Sequence, residues 1–147
     1  MAKQPEGAQL KEETSSPTIN DPDASRDLAL QVAEAALDKK ASRIEIIDVR
    51  GKVDYTDYVV VMSGRSDRQV AAIARGIEET LKRDHGQRCA GVEGLPQGNW
   101  VLLDFGDVVV HIFHQDTRGY YDLEALWLDA DRVEFEGAQV EEGFVFP

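Results

Sequence analysis

Along this chain the apolar positions alternate between helical spacing and continuous β-branched runs, and each switch marks an element. Leu28, Val32, Ala35 and Ala36 recur at three-and-four spacing up to about Lys40, which predicts a helix. Its alanine-rich composition favours that state, and Ser25 is placed to cap it. Residues 43–49, RIEIIDV, and 57–63, DYVVVMS, are rich in β-branched residues and are joined by a polar link containing Gly51 and Asp54. Nearly every position of the second run is apolar, as in a central strand covered on both faces. Ser66 followed by Gln69 forms a capping box. Behind it Val70, Ile73, Ala74, Ile77 and Leu81 make one helical stripe, which Gly86 is suited to end. A short strand is predicted within 88–94, before the turn-forming LPQGN. Residues 101–104 and 108–113 then read as a hairpin, with Gly106 supplying the positive φ of its turn. Tyr120, Leu123, Glu124 and Trp127 place a last short helix over 120–127. The order helix, two strands, helix, three strands, helix predicts an α/β domain: a mixed sheet of about five strands with helices packed against it.

The ends break this pattern. Residues 1–24 combine Pro5, Pro17, Pro22 and Gly7 with only two large aliphatics, Leu10 and Ile19, too few to offset the entropy of ordering. Residues 1–25 therefore read as a disordered acidic extension, 26–128 as the domain, and 129–147 as an acidic tail. That tail mixes acids with Val133, Phe135, Val140, Phe144, Val145 and Phe146. Folding back over the domain is one option, and a mobile tail is the default. Residues 1–25 carry five acids and two bases, 26–127 seventeen and thirteen, and 128–147 six and one, for a net charge of −12. Such a chain suits a basic protein partner better than nucleic acid, whose phosphates need a basic surface. The same surplus also serves solubility. The single cysteine, Cys89, has no partner for an internal disulfide, which favours a reducing compartment. No apolar run of roughly 18 residues is present, and the first residues lack a signal-peptide core. A cytoplasmic protein is expected.

Several stretches look like chemistry. Asp104-Phe105-Gly106 is the triplet with which kinases hold magnesium, yet the glycine-rich loop, strand lysine and catalytic-loop aspartate are missing. Asp104 and Asp107 instead flank a turn, where short polar side chains bond local backbone. His111 and His114 lie three apart, so on a strand they face opposite sides and would not chelate one ion. Cys89 has no zinc spacing around it, and neither metal nor cofactor is expected. SGRSDRQ, residues 63–69, offers helix N–H groups with Arg65 and Arg68 to a phosphate. Nucleotidyltransferases share that start, but the paired strand acids that hold their metal are absent, and capping plus surface charge explains the stretch more simply. Asp48, Asp54 and Asp57 read as loop carboxylates, and there is no nucleophile elbow. What remains is aromatic. Trp127 reads as core. Trp100 follows Gly98-Asn99 at a strand edge and shares a strand face with Asp104. It is either core or an interface anchor, a position where Trp and Tyr dominate.

DYVVVMSGRSDRQVAAIA (57–74), GVEG (91–94), WVLLDFGDVVVHIF (100–113) and RGYYDLEALW (118–127) occur in an order and spacing that resemble the ribosomal silencing factor family, also called the Iojap family. With DVRGK (48–52) and the first helix, the likeness covers roughly residues 26–128. It implies a nucleotidyltransferase-like α/β fold without transferase activity. It implies binding to the large ribosomal subunit through ribosomal protein fourteen of that subunit, and a steric block on joining of the small subunit when nutrients are short. It also implies that some members pair as homodimers. Carried onto this chain, it makes Trp100 the leading contact, with Leu102, Asp104 and Asp107 in support and Tyr120 and Tyr121 after them. Neither direct readout of nucleic acid nor a membrane partner is implied. The rival readings are a nucleotidyl-transferring enzyme and an adaptor for assembly of the large subunit.

Overall fold

The computed structural model describes residues 22–95 and 98–136. Helix α1 (Pro22–Asp38) begins before the expected cap. Ser25 lies within it, 5% exposed, and its hydroxyl donates to Asp57 Oδ2 at 2.8 Å. Ser25 therefore ties the helix to the sheet instead of capping it, and residues 22–25 belong to the fold rather than to a disordered extension. The rest of that extension lies outside the described residues.

Strands β1 (Ser42–Asp48) and β2 (Tyr58–Gly64) are antiparallel. Helix α2 (Asp67–His85) follows as the capping box predicts: Ser66 Oγ accepts from Gln69 N at 3.0 Å. It ends at Gly86, whose φ of 66° is the left-handed conformation that favours glycine. Strands β3 (Gly91–Glu93), β4 (Trp100–Asp104) and β5 (Val108–His114) form an antiparallel meander. The β4–β5 turn is held by Gly106 N, which donates to Asp104 Oδ1 at 2.8 Å. Strand β5 runs parallel to β2, with Val60 opposite Val110, a pairing that requires the long crossover through α2.

The sheet has six strands in the order β3-β4-β5-β2-β1-β6, not five. The sixth, β6 (Arg132–Val133), pairs antiparallel with Ile47 and Ile46 at the β1 edge. The first part of the expected tail is thus docked, and Phe135 packs against the core. Residues 137–147 lie outside the described residues. The last predicted helix is also different. It divides into α3 (Gln115–Tyr121) and a 3-10 helix (Leu123–Trp127). The break is at Asp122, whose φ is 48°; Asp tolerates the left-handed region better than most side chains.

Side chains alternate across each strand, so the sheet has two different faces. Ile46, Tyr58, Val60, Met62, Leu103 and Val110 point to the side covered by α1 and α2 and form the main core. On the other side Ile47, Val49, Val59, Val61 and Phe113 meet Trp127 and Ala130 in a smaller cluster. This confirms Trp127 as core, 7% exposed.

Candidate functional site

The smaller cluster occupies only part of the second face. Toward the other edge, that face presents Trp100, Leu102 and Asp104 of β4, with Gly91 and Glu93 of β3, all half-buried or exposed. Trp100 pairs with Phe113 and Leu102 with His111 across the β4–β5 ladder, so these four side chains share one surface. The Trp100 ring lies 4.8 Å from the Phe113 ring and 4.6 Å from that of Tyr121, centroid to centroid. Tyr120 meets Tyr121 edge-on at 5.1 Å. Tyr120 is 83% exposed and Tyr121 51%. The result is an aromatic ridge anchored in the small core at Phe113 and open to solvent at Tyr120.

Of the residues expected at the site, the fold brings together Trp100, Leu102, Tyr120 and Tyr121 on or beside one face. The acids lie further away. Asp104 is at the opposite end of β4 from Trp100, on the order of 13 Å along the strand, and one of its oxygens is used in the turn. Asp107 is exposed in that turn, and its carbonyl accepts from Asp57 N and Tyr58 N at 3.0 and 3.1 Å. The residue sequence reading underrated is Arg118, the most buried charged side chain near the ridge at 3% exposure. Its Nη1 donates to the Arg43 carbonyl at 2.6 Å and to Ser63 Oγ at 3.0 Å, and its Nε donates to Glu124 Oε2 at 2.8 Å. Glu45 completes the cluster, 3.5 Å from Nη2. One guanidinium thus locks α3 and the 3-10 helix onto β1 and β2, which positions Tyr120 and Tyr121 beside Trp100. Nothing in a lone arginine within a helical pattern announces that role. Leu126 and Leu128, 68% and 80% exposed, were likewise not singled out by periodicity.

His111 is 8% exposed, and its Nδ1 accepts from Trp100 Nε1 at 3.1 Å. Burial disfavours the charged imidazolium and pushes its pKa down to about 4. The neutral ring therefore carries its proton on Nε2. The folded pKa lies below the ordinary 6.5, so the unfolded chain binds more protons between those values. Stability is full above about pH 6.5 and is lost as pH falls toward about 4, by up to about 3 kcal/mol from this residue. Urea denaturation across that range should show a steeper acid loss in the native protein than in a His111→Leu variant. Parallel curves would show that His111 titrates normally.

The two histidines are engaged separately, since His114 Nδ1 caps α3 by accepting from Asp116 N at 3.1 Å. Asp48 pairs with Arg50 at 2.7 Å, and that hydrogen bond holds its carboxyl below the usual range. Asp57 accepts from Ser25. Among the described residues, no three of His, Cys, Asp and Glu converge as metal ligands. No helix among them is long and apolar enough to cross a membrane. The arrangement offers recognition by shape, with an aromatic ridge on a rigid sheet.

Comparison with known proteins agrees with the motifs in 57–127. Residues 22–143 match the family described as ribosomal silencing factor during starvation. The chain is 43% identical over 109 residues to the ribosomal silencing factor RsfS of Halalkalibacterium halodurans, covering 74% of this chain and 92% of that one. For RsfS of Bacillus subtilis the figures are 44% over 108 residues, 73% and 91%. The chloroplastic protein Iojap of Zea mays is 33% identical over 106 residues, and the chain spans only 46% of its length. A crystal structure of a Chromobacterium violaceum protein superposes with a TM-score of 0.68 at 36% identity, covering 77% of this chain and 93% of that one. One from Bacillus halodurans gives 0.66 at 37%, covering 75% and 99%. On the strength of the family match and these identities, the chain belongs to the ribosomal silencing factor family.

Proposed function

We propose that this protein represses translation by occupying the large ribosomal subunit and keeping the small subunit from joining, with no bond made or broken. The observation that carries the reading is the aromatic ridge of Trp100, Tyr121 and Tyr120, half-open on the sheet face opposite α1 and α2. Family membership supports a ribosomal partner, since relatives carry the name ribosomal silencing factor. In this reading the partner surface is ribosomal protein fourteen of the large subunit. Trp100 is the anchor, Leu102, Tyr120 and Tyr121 extend the apolar contact, and Asp104 and Asp107 face basic residues at the far end of the hairpin. The net charge of −12 favours encounter with a basic protein. The protein acts in the cytoplasm, where ribosomes work, and lowers translation under nutrient limitation. The acting unit is the sequence-defined domain of residues 26–128 together with the docked β6.

Co-sedimentation with isolated large subunits tests the binding, which should be saturable and stoichiometric. The competing enzymatic reading makes a different prediction. Nucleotide with Mg²⁺ would raise the melting temperature of a nucleotidyltransferase by mass action, whereas no shift is expected here. A shift of several degrees without large-subunit binding would replace the present reading.

A further inference from the structure

The indole N–H of Trp100 is already spoken for. It donates to His111 Nδ1 at 3.1 Å, while the ring is flanked by Phe113 and Tyr121 at 4.8 and 4.6 Å. Trp100 is half-buried and His111 is 8% exposed, so the acceptor sits at the N–H edge of the indole, on the neighbouring strand opposite Leu102. A half-exposed tryptophan with its donor free would sample several rotamers, and ordering them on binding costs affinity. Here an acceptor fixed in the sheet removes that freedom beforehand. We propose that His111 is a positioning residue: its Nδ1 holds the Trp100 indole in the orientation used against the large ribosomal subunit. This rests on the ribosomal reading of Trp100 given above. Glu93, Asp104, Arg118, Tyr120 and Tyr121 are charged or titratable side chains that β3, β4 and α3 bring onto or beside this face, and Glu124 of the 3-10 helix is paired with Arg118. Strand β2 contributes only Val59, Val61 and Ser63.

Two substitutions separate positioning from packing. His111→Leu keeps an apolar side chain in a buried place but removes the acceptor. His111→Asn keeps an acceptor at the same number of bonds from Cβ, with less packing. The expected result is that His111→Leu binds isolated large subunits roughly tenfold more weakly, the loss of one hydrogen bond, with an unchanged or higher melting temperature. His111→Asn binds within roughly threefold of the native protein despite a lower melting temperature. Hydrogen exchange of the Trp100 indole N–H, assigned by Trp127→Phe, gives a readout without ribosomes: protection is lost in the Leu variant and kept in the Asn variant. The inference is overturned if the Leu variant binds normally, if its indole N–H stays protected, or if affinity simply follows melting temperature across the pair. Trp100→Ala tells the two levels apart. Native-like binding by that variant would remove the ribosomal reading and this inference together. Loss of binding there, with normal binding by His111→Leu, would remove only the inference.

Discussion

An Arg118→Ala variant is expected to be destabilised by about 3–5 kcal/mol, the usual cost of removing one partner from a buried ionic cluster. The guanidinium is 3% exposed and serves Arg43 O, Ser63 Oγ and Glu124. Truncation leaves the Glu124 side chain, itself only 15% exposed, without its cation. It also leaves the buried Ser63 hydroxyl without its donor. The Arg43 carbonyl points this way because β1 is irregular between Ser42 and Glu45, with Arg43 at a φ of 50°. The bulge and the arginine therefore act as a unit. Urea denaturation should show a lower midpoint with little change in slope, and Tyr121 should no longer be held against Trp100. A loss below about 1 kcal/mol would place Arg118 with weak surface pairs and leave the docking of α3 and the 3-10 helix to Tyr121 and Trp127.

Trp100→Ala is expected to weaken binding to isolated large subunits by about 2 kcal/mol or more, at least roughly thirtyfold, as truncation of an interface anchor does. The same change has a structural cost, because the ring packs on Phe113 and Tyr121. For a half-buried ring roughly 2 kcal/mol of stability is lost, about half the cost of a fully buried one. The domain stays folded, since the main core lies on the other side of the sheet. Circular dichroism and sedimentation on one preparation separate the effects. A folded variant that binds as tightly as the native protein would make Trp100 an internal packing residue.

Elements with a long, repeated period were legible from residues alone. The α2 stripe from Val70 to Leu81, its Ser66 cap and Gly86 stop, and the Gly106 hairpin all stand where the pattern predicts. Failures occur where tertiary contacts outweigh local preference. Ser25 looks like a cap but is drawn to Asp57 across the fold. Strand β6 has two residues, too few for any period, and forms because the β1 edge is available to pair. The break at Asp122 was hidden because Tyr120, Leu123 and Trp127 keep helical spacing across it. At the site, the aromatic residues were legible as types, strand alternation placed Trp100 on one face with Asp104, and Leu102 entered through the family resemblance. The Trp100–His111 bond and the Arg118 cluster depend on register between distant segments, which one sequence does not contain. The acids were read as neighbours of the indole because they are close in sequence, but an extended strand separates them.

Obstruction is tested most directly by order-of-addition sedimentation. Large subunits saturated with the protein are mixed with small subunits under joining conditions and resolved on a gradient. Separate subunit peaks are expected, with the protein in the heavier one, and Trp100→Ala should restore joining. Joined ribosomes that still carry the protein would contradict the proposal and point instead to an adaptor that rides on the large subunit.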